Sequence, residues 1–273
     1  MPALRIATWN INSVRLRIRQ VARLLARHTP DLLCLQETKC PDERFPRAEF
    51  EQLGYPHIAL HGQKGWHGVA VVSKHPFADV ARDRLCDNND ARHVAVTLAP
   101  AAGLAKPLTL HNFYVPAGGD EPDPESNVKF AHKLAFLDEL ARYPATRAAK
   151  AGSRALLMGD LNVAPLEHDV WSHRQLLDVV SHTPIECEKL GHAQRAGGWH
   201  DVMRAFVPEP AKLYTWWSYR APDWKKADKG RRLDHIWASP ALAGAATKMT
   251  IARETRAWQQ PSDHVPVIAT FEV

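Results

Sequence analysis

The sequence predicts an α/β domain, on three observations. Short apolar runs alternate with helix-like patterns along the whole chain. Several of those runs are apolar at consecutive positions, as in strands covered on both faces. Polar residues gather where the runs end, which is where α/β sheets place their ligand sites.

Strands are expected at Leu4–Trp9, Leu32–Gln36, Val69–Ser73, His93–Leu98, Leu108–Val115, Ala155–Met158, Leu233–Ala238 and Val265–Phe271. A first helix is expected from Ser13, read as its N-cap, to His28. Val14, Ile18, Val21 and Leu25 recur at spacings of three and four and form one buried stripe. Arg15, Arg17, Arg19, Arg23 and Arg27 would then form a solvated basic face. A second helix is expected after Pro124 and Glu125, with Phe130, Leu134 and Leu137 on one side, and a third over Asp169–Val180. The stretches Ala99–Pro107, Ala117–Pro124, Ala145–Gly152 and Leu190–Gly198 read as loops. None is long enough for an interdomain linker, so residues 1–273 are expected to form a single domain.

Composition sets outer limits. A chain of 273 residues, 45% hydrophobic and 24% charged, can bury a large core and is not of the disordered class. The formal charge of +5 suits a polyanionic partner, since Lys and Arg release counterions from phosphate chains. Cys34, Cys40, Cys86 and Cys187 form no Cys-x-x-Cys pair and read as reduced thiols. No apolar run reaches the roughly 18 residues a membrane span needs. With no signal region ahead of the first strand, the expectation is a cytoplasmic protein without a membrane partner.

Five places carry the chemistry. The first two strands end in Trp9-Asn10-Ile11-Asn12 and Leu35-Gln36-Glu37-Thr38-Lys39, and the strand near 158 ends in Gly159-Asp160-Leu161-Asn162. Ser262-Asp263-His264 precedes the last strand, and Arg232-Leu233-Asp234-His235-Ile236 sets a carboxylate inside an apolar run. Each has a bland reading: Gly-Asp and Ser-Asp are common turn dipeptides, and Asp234 could pair with a neighbouring arginine. Together they suit phosphodiester hydrolysis. Mg²⁺ prefers oxygen ligands, which Glu37 and the neutral oxygen of Asn10 supply. Asp160 could deprotonate water. Asn162 and His264 could donate to developing charge, and Asp234 would hold the imidazole's tautomer. No Gly-x-Ser-x-Gly elbow and no zinc spacing competes.

In this order the motifs, with Gly68-Val69-Ala70 and Tyr114-Val115-Pro116, resemble the exonuclease III and apurinic/apyrimidinic endonuclease family of the endonuclease/exonuclease/phosphatase superfamily. The resemblance covers nearly the whole chain. It implies a four-layered α/β sandwich, two mixed β-sheets packed face to face with helices on the outside. It implies Mg²⁺, for which Mn²⁺ can substitute, and a monomer acting on double-stranded DNA with abasic sites or blocked 3′ ends. It also implies 3′-5′ exonuclease and 3′-phosphatase activities in base excision repair.

By the same resemblance, Glu37 and Asn10 sit at the metal with Asp263 nearby, and Asp160, Asn162 and His264 are further candidates for its shell. Asp160 activates the attacking water and Asn162 aligns it. Tyr114 contacts the scissile phosphate, as does His264, oriented by Asp234. Trp216, Leu233, Arg231 and Lys39 are the DNA-contacting candidates. Trp216, in Tyr214-Thr215-Trp216-Trp217-Ser218-Tyr219, reads either as lining a pocket for an extruded baseless sugar or as core; Trp217 reads as core. Two departures stand out: Arg231 replaces a large apolar residue common in the family, and Ala117 replaces an amide side chain. The segment Arg220–Lys229 reads as a DNA-contacting loop or as a solvated connection.

Other enzymes of the superfamily, acting on RNA, phospholipid or inositol phosphate, share this metal core; the basic charge and the aromatic segment favour DNA. A non-catalytic DNA-binding protein is the remaining alternative, and the joint presence of Glu37, Asp160, Asn162, Asp263 and His264 argues against it.

Overall fold

In a computed structural model, which describes residues 3–86, 88–98, 103–104, 106–221 and 223–273, two six-stranded sheets dominate the chain. In the first, the strands β1 (Ala3–Asn10), β2 (Leu32–Gln36), β3 (His57–His61) and β4 (Val69–Ser73) join two late ones. The second holds β5 (Phe77–Ala81), β6 (His93–Leu98), β7 (Leu108–Tyr114), β8 (Ala155–Asp160), β9 (His200–Asp201) and β12 (Asp234–Ala238). A short hairpin of β10 (Trp216–Trp217) and β11 (Gly230–Arg231) stands apart, and β13 (Ala246–Ile251) and β14 (Val267–Glu272) return to the first sheet. The orders are β13-β14-β1-β2-β4-β3 and β5-β6-β7-β8-β12-β9. Among the described residues, only β1–β2 and β7–β8 are parallel; the other ladders are antiparallel, so both sheets are mixed.

Strand periodicity builds the layers. Side chains two apart share a face, so Ile6, Leu32, Cys34, Val69 and Val71 meet Val94, Val96, Leu110, Leu156, Met158 and Ile236 in a core between the sheets. The alternate residues Ala7, Trp9, Leu33 and Leu35 point outward and pack on α1 (Ile18–His28) through Val21, Leu24 and Leu25, and on Phe50 of α2 (Arg47–Gln52). On the far side, Phe113, Leu157 and Trp237 pack on α3 (Val128–Arg142), Ala149 of α4 (Pro144–Lys150), and Leu190 of α6 (Pro184–Gly197). The four-layered sandwich is therefore the observed architecture. Among the described residues, no helix is long and apolar enough to cross a membrane.

Every expected strand is present, most within two residues of the expected bounds. Several helix readings need correcting. Ser13 is not an N-cap: it sits at φ 85°, its N–H donates to the Glu37 carbonyl, and α1 begins at Ile18 after a single turn. The second helix is capped by Asn127, whose side chain accepts from Lys129 and Phe130 N–H. Of Asp169–Val180 only α5 (His173–Leu176) is α-helical, because Asp169 is drawn into buried ion pairs with Arg204 and Arg232. Ala145–Gly152 and Leu190–Gly198 are mostly helix, not loop. Pro144 opens α4, and Pro184 with a Thr183–Glu186 capping box opens α6. Residues 99–102 and 105 of the Ala99–Pro107 stretch, and Pro222 of Arg220–Lys229, lie outside the described residues.

Buried imidazoles make the fold acid-sensitive. Burial lowers His111 to about 4, against an opposing pull from Asp83, and lowers His235 to about 4 as well, helped by the Arg232 charge. An unfolded histidine titrates near 6.5. The folded state thus binds fewer protons, so this stability is complete above about pH 6.5 and drains as pH falls toward 4. Each residue withdraws about 2 kcal/mol by pH 5. Thermal melts should lose several degrees between pH 7 and 5, and His111→Gln should flatten part of that slope; an unchanged slope in the variant would contradict this assignment.

Candidate active site

The inner-face periodicity that makes the core also makes the site. Ile6 and Thr8 lead to Asn10, Leu110 and Asn112 to Tyr114, and Leu156 and Met158 to Asp160, each in steps of two. β12 runs the other way, so its first residue, Asp234, lies at the same end and pairs directly with Asp160. Beneath them a polar layer ties the sheets: Gln36 donates to Thr8 Oγ1 at 2.9 Å and to Asn112 Oδ1 at 2.7 Å, and Asn112 donates to the Leu35 and Ala70 carbonyls.

Tight strand ends aim the side chains. Glu37 has φ 51°, Lys39 53°, Asn12 48° and Asn162 53°, a left-handed conformation that non-glycine residues rarely adopt. Neighbouring backbone holds the turn of Glu37 and Lys39: Thr38 N–H donates to Gly68 O at 3.0 Å and Lys39 N–H to His67 O at 2.9 Å. Gly159, at φ 136°, is irreplaceable on two counts, since a Cβ there would lie 2.0 Å from the Phe113 carbonyl oxygen.

The structure brings Asn10, Glu37, Tyr114, Asp160, Asp234, Asp263 and His264 together. Asn10 Nδ2 donates at 2.8 Å to both Glu37 Oε1 and Asp160 Oδ2, while its Oδ1 accepts from Asn12 N–H. As placed, its amide nitrogen orients the two carboxylates. Tyr114 Oη donates to Glu37 Oε1 at 2.9 Å. Burial, with the Glu37 and Asp160 carboxylates, pushes the phenol well above its usual range, so it stays a donor. The Arg92 guanidinium lies 5.1 Å from the Tyr114 ring centroid and steadies it.

His264 lies between the paired strands. Its Nδ1 is 2.8 Å from Asp234 Oδ2 and its Nε2 is 3.6 Å from Asp160 Oδ2. Burial opposes the imidazolium charge, but Asp234 and Asp160 outweigh it and raise His264 to about 10. Burial, with Asp234 and Glu37 nearby, raises Asp160 to about 7 despite His264. Asp160, Asp234 and His264 lie close enough to share a cation. The bland reading of Asp234 fails: Arg232 pairs with Asp169 and Asp201, and Arg231 donates to Val180 O and Ser181 Oγ.

A cation fits at Glu37. Its Oε2 already holds the Lys39 ammonium at 2.8 Å, and that ammonium also donates to Asn12 Oδ1 at 2.7 Å. Asn12 Nδ2 in turn donates to Asp263 Oδ1 at 3.1 Å, and Trp216 Nε1 to Asp263 Oδ2 at 2.9 Å. Burial works against the Asp263 charge, yet His264 and these two donors hold it below the ordinary carboxylate range. Four carboxylates gather around two cations, Lys39 and His264, so their ionised set has charge left for a divalent ion with oxygen preference.

Asn162 Nδ2 is committed to the Val115 carbonyl at 2.8 Å, and its backbone N–H donates to Asp160 Oδ1 at 3.0 Å. Sequence reasoning missed its support. Lys133, fully buried on α3, donates to the Asn162 carbonyl at 2.7 Å and pairs with the buried Glu186. The one available signal was a lysine three residues after Phe130, on the apolar stripe. Thr215 was missed too: its Oγ1 accepts the Leu233 and Asp234 N–H groups, both at 3.1 Å.

These groups open into a cavity of about 670 Å³, lined by Glu37, Asn162, His264, Trp216, Leu233 and Arg231 among others. Trp216 lies at its wall, packed by Leu233 and Val170, whereas Trp217 is buried. Residues 7–264 match the endonuclease/exonuclease/phosphatase family. The chain belongs to that family. Within it, the chain is 32% identical to an exodeoxyribonuclease III of Haemophilus influenzae, over 98% of this chain and all of that protein. An AP endonuclease from Archaeoglobus fulgidus superposes with a TM-score of 0.88 at 32% identity, over 99% of this chain and 100% of that one. NExo, a Neisseria 3′ phosphatase solved with product DNA hairpin, gives 0.88 and 32% with the same coverage.

Two outcomes follow from the geometry. Gly159→Ala should cost more than about 3 kcal/mol, read by thermal or urea unfolding, because backbone atoms must move; a variant as stable as the parent would refute the close approach. In Asp234→Asn, His264 should titrate in the acidic range by NMR, whereas in the parent it should remain protonated through pH 8.

Proposed function

We propose that this chain is a divalent-metal-dependent deoxyribonuclease of DNA repair. It would hydrolyse the phosphodiester 5′ to an abasic site and clear blocked 3′ ends, by exonuclease and phosphatase action. The observation that carries this reading is the convergence of the Asp160–His264–Asp234 array and Glu37 on a cavity walled by Trp216 and Leu233. The family membership and the repair enzymes among its relatives support it.

Mg²⁺ is the proposed cofactor, with Mn²⁺ able to replace it; Glu37 would hold it, with Asn12 and Asp263 alongside. When bound, the metal supplies Lewis-acid polarisation of the phosphate oxygens. The chain's own groups do the rest. Asp160, raised to about 7, is poised to take a proton from water near neutral pH. Its Oδ1 and Oδ2 are fixed by Asn162 N–H and Asn10 Nδ2. The side-chain oxygen of Asn162 is left to align that water. The His264 imidazolium and the Tyr114 hydroxyl are donors for the phosphate oxygens as charge builds there, and Lys39 would move from Glu37 to the DNA backbone. The formal charge of +5 favours duplex DNA as substrate. The same reading takes residues 1–273 as one domain, working as a monomer in the cytoplasm.

A duplex bearing one abasic site, beside an undamaged control, tests this. Incision next to the lesion should require Mg²⁺ and stop in EDTA; metal-independent cleavage would overturn the mechanism. Asp160→Asn should lower kcat by about a thousandfold or more while leaving DNA affinity within about threefold.

A further inference from the structure

The expected basic face of α1 is not wholly solvated. Arg15 and Arg19 are exposed, but Arg17 between them is buried. The chain is still in a turn there, and the Arg17 N–H donates to the Ser13 and Val14 carbonyls, both at 3.2 Å. A guanidinium cannot shed its proton to escape burial, so acceptors must be in place around it. Among the described residues, none of its side-chain hydrogen bonds goes to a carboxylate. Nε donates to the Gln260 carbonyl at 3.0 Å and Nη2 to Tyr219 Oη at 3.1 Å. Nη1 donates to the Asn12 carbonyl and, at 3.3 Å, to that of Ile11.

Those acceptors belong to three segments that meet beside the acidic part of the site. Asn12 sits at φ 48°; its Oδ1 accepts from the Lys39 ammonium and its Nδ2 donates to Asp263 Oδ1 at 3.1 Å. Gln260, at φ 49°, precedes Asp263 by three positions. Gln20 Nε2 also donates to its carbonyl and to that of Gln259, both at 2.6 Å. The Tyr219 hydroxyl accepts from Arg17 and donates to the Pro261 carbonyl at 2.7 Å. One guanidinium thus bonds to backbone on both sides of the Asn12–Asp263 contact. Left-handed backbone of this kind persists only where its surroundings over-determine it.

Resting on the metal-dependent reading, we infer that Arg17 is a positioning residue for divalent-cation binding, which keeps Asn12 and Asp263 in place beside Glu37. Its action is indirect, through the Asn12 and Gln260 carbonyls. Charge and position predict opposite signs here. Through its charge alone Arg17 repels a cation, so its removal would tighten binding. Through position it orients the oxygen-bearing side chains, and its removal weakens binding. Outer groups that orient metal ligands contribute about ten- to a hundredfold in affinity.

The test is Mn²⁺ affinity in the absence of DNA and turnover, read from the EPR signal of the free ion during titration. Arg17→Met should raise the Mn²⁺ Kd about tenfold. Arg17→Lys keeps the charge but loses the planar fork, so it should raise the Kd by roughly fivefold or more. Tyr219→Phe keeps Arg17 and removes its hydroxyl partner, and should raise the Kd by about two- to threefold. Circular dichroism establishes that each variant is folded at the temperature of titration. A role confined to stability would lower the melting temperature and leave the Kd at the parent value. That result, or tighter binding in Arg17→Met, overturns the assignment. If Arg17→Met does not fold, a parental Kd in both Arg17→Lys and Tyr219→Phe overturns it. Absence of Mn²⁺ binding by the parent protein would instead sink the metal-dependent reading, and this inference with it.

Discussion

The site depends on one imidazolium placed between two carboxylates that the sheet sets directly opposite each other. Asp160 and Asp234 are cross-strand partners on β8 and β12, and like charges so placed destabilise a sheet. His264 comes from the other end of the sequence and neutralises part of that repulsion, 2.8 Å from one carboxylate and 3.6 Å from the other. The arrangement has two chemical results. The histidine is locked as a donor, and Asp160 is left only partly compensated, so it retains affinity for a proton near neutrality.

Positioning comes from regular structure more than from loops. Asn10, Tyr114 and Asp160 continue the inner face of their strands past the point where the apolar core stops. Their spacing is therefore set by the pleat and by the separation of the sheets. The residues that depart from regular geometry, Glu37 and Asn162 among them, lie just beyond the strands; the Ser13 N–H holds the Glu37 carbonyl, while Asp160 Oδ1 and Lys133 hold the Asn162 backbone. Buried charge reinforces this. The Lys133–Glu186 pair links α3 and α6 to the Asn162 carbonyl and the Ser181 turn, and so holds the Asn162 segment and one cavity wall in a fixed relation.

Much of this was legible in the sequence because strand-end motifs are local. The eight long buried strands declared themselves through consecutive apolar residues, and the acidic and amide residues of the site sit at their ends. β3, β5 and β13 were missed because each is flanked by charge or is partly exposed, with little apolar pattern to mark it. Alanine-rich α4 and lysine-containing α6 passed for loops, although Pro144 and the Thr183–Glu186 box marked their starts. At the site, residue types were readable but hydrogen-bond direction was not. No sequence pattern reveals that Asn10 turns its nitrogen to the carboxylates, or that Lys39 rests on Glu37. Those outcomes depend on contacts between segments far apart along the chain.

That separation governs when the enzyme can first work. β14 (Val267–Glu272) lies in the first sheet between β13 and β1, and pairs along nearly the whole length of β1 (Ala3–Asn10). A nascent polypeptide still lacking those late strands leaves one side of β1 unpaired, and His264 emerges only just before β14. Contacts of such long sequence separation form slowly. The site therefore cannot be complete until β14 closes the first sheet and brings His264 beside Asp160 and Asp234.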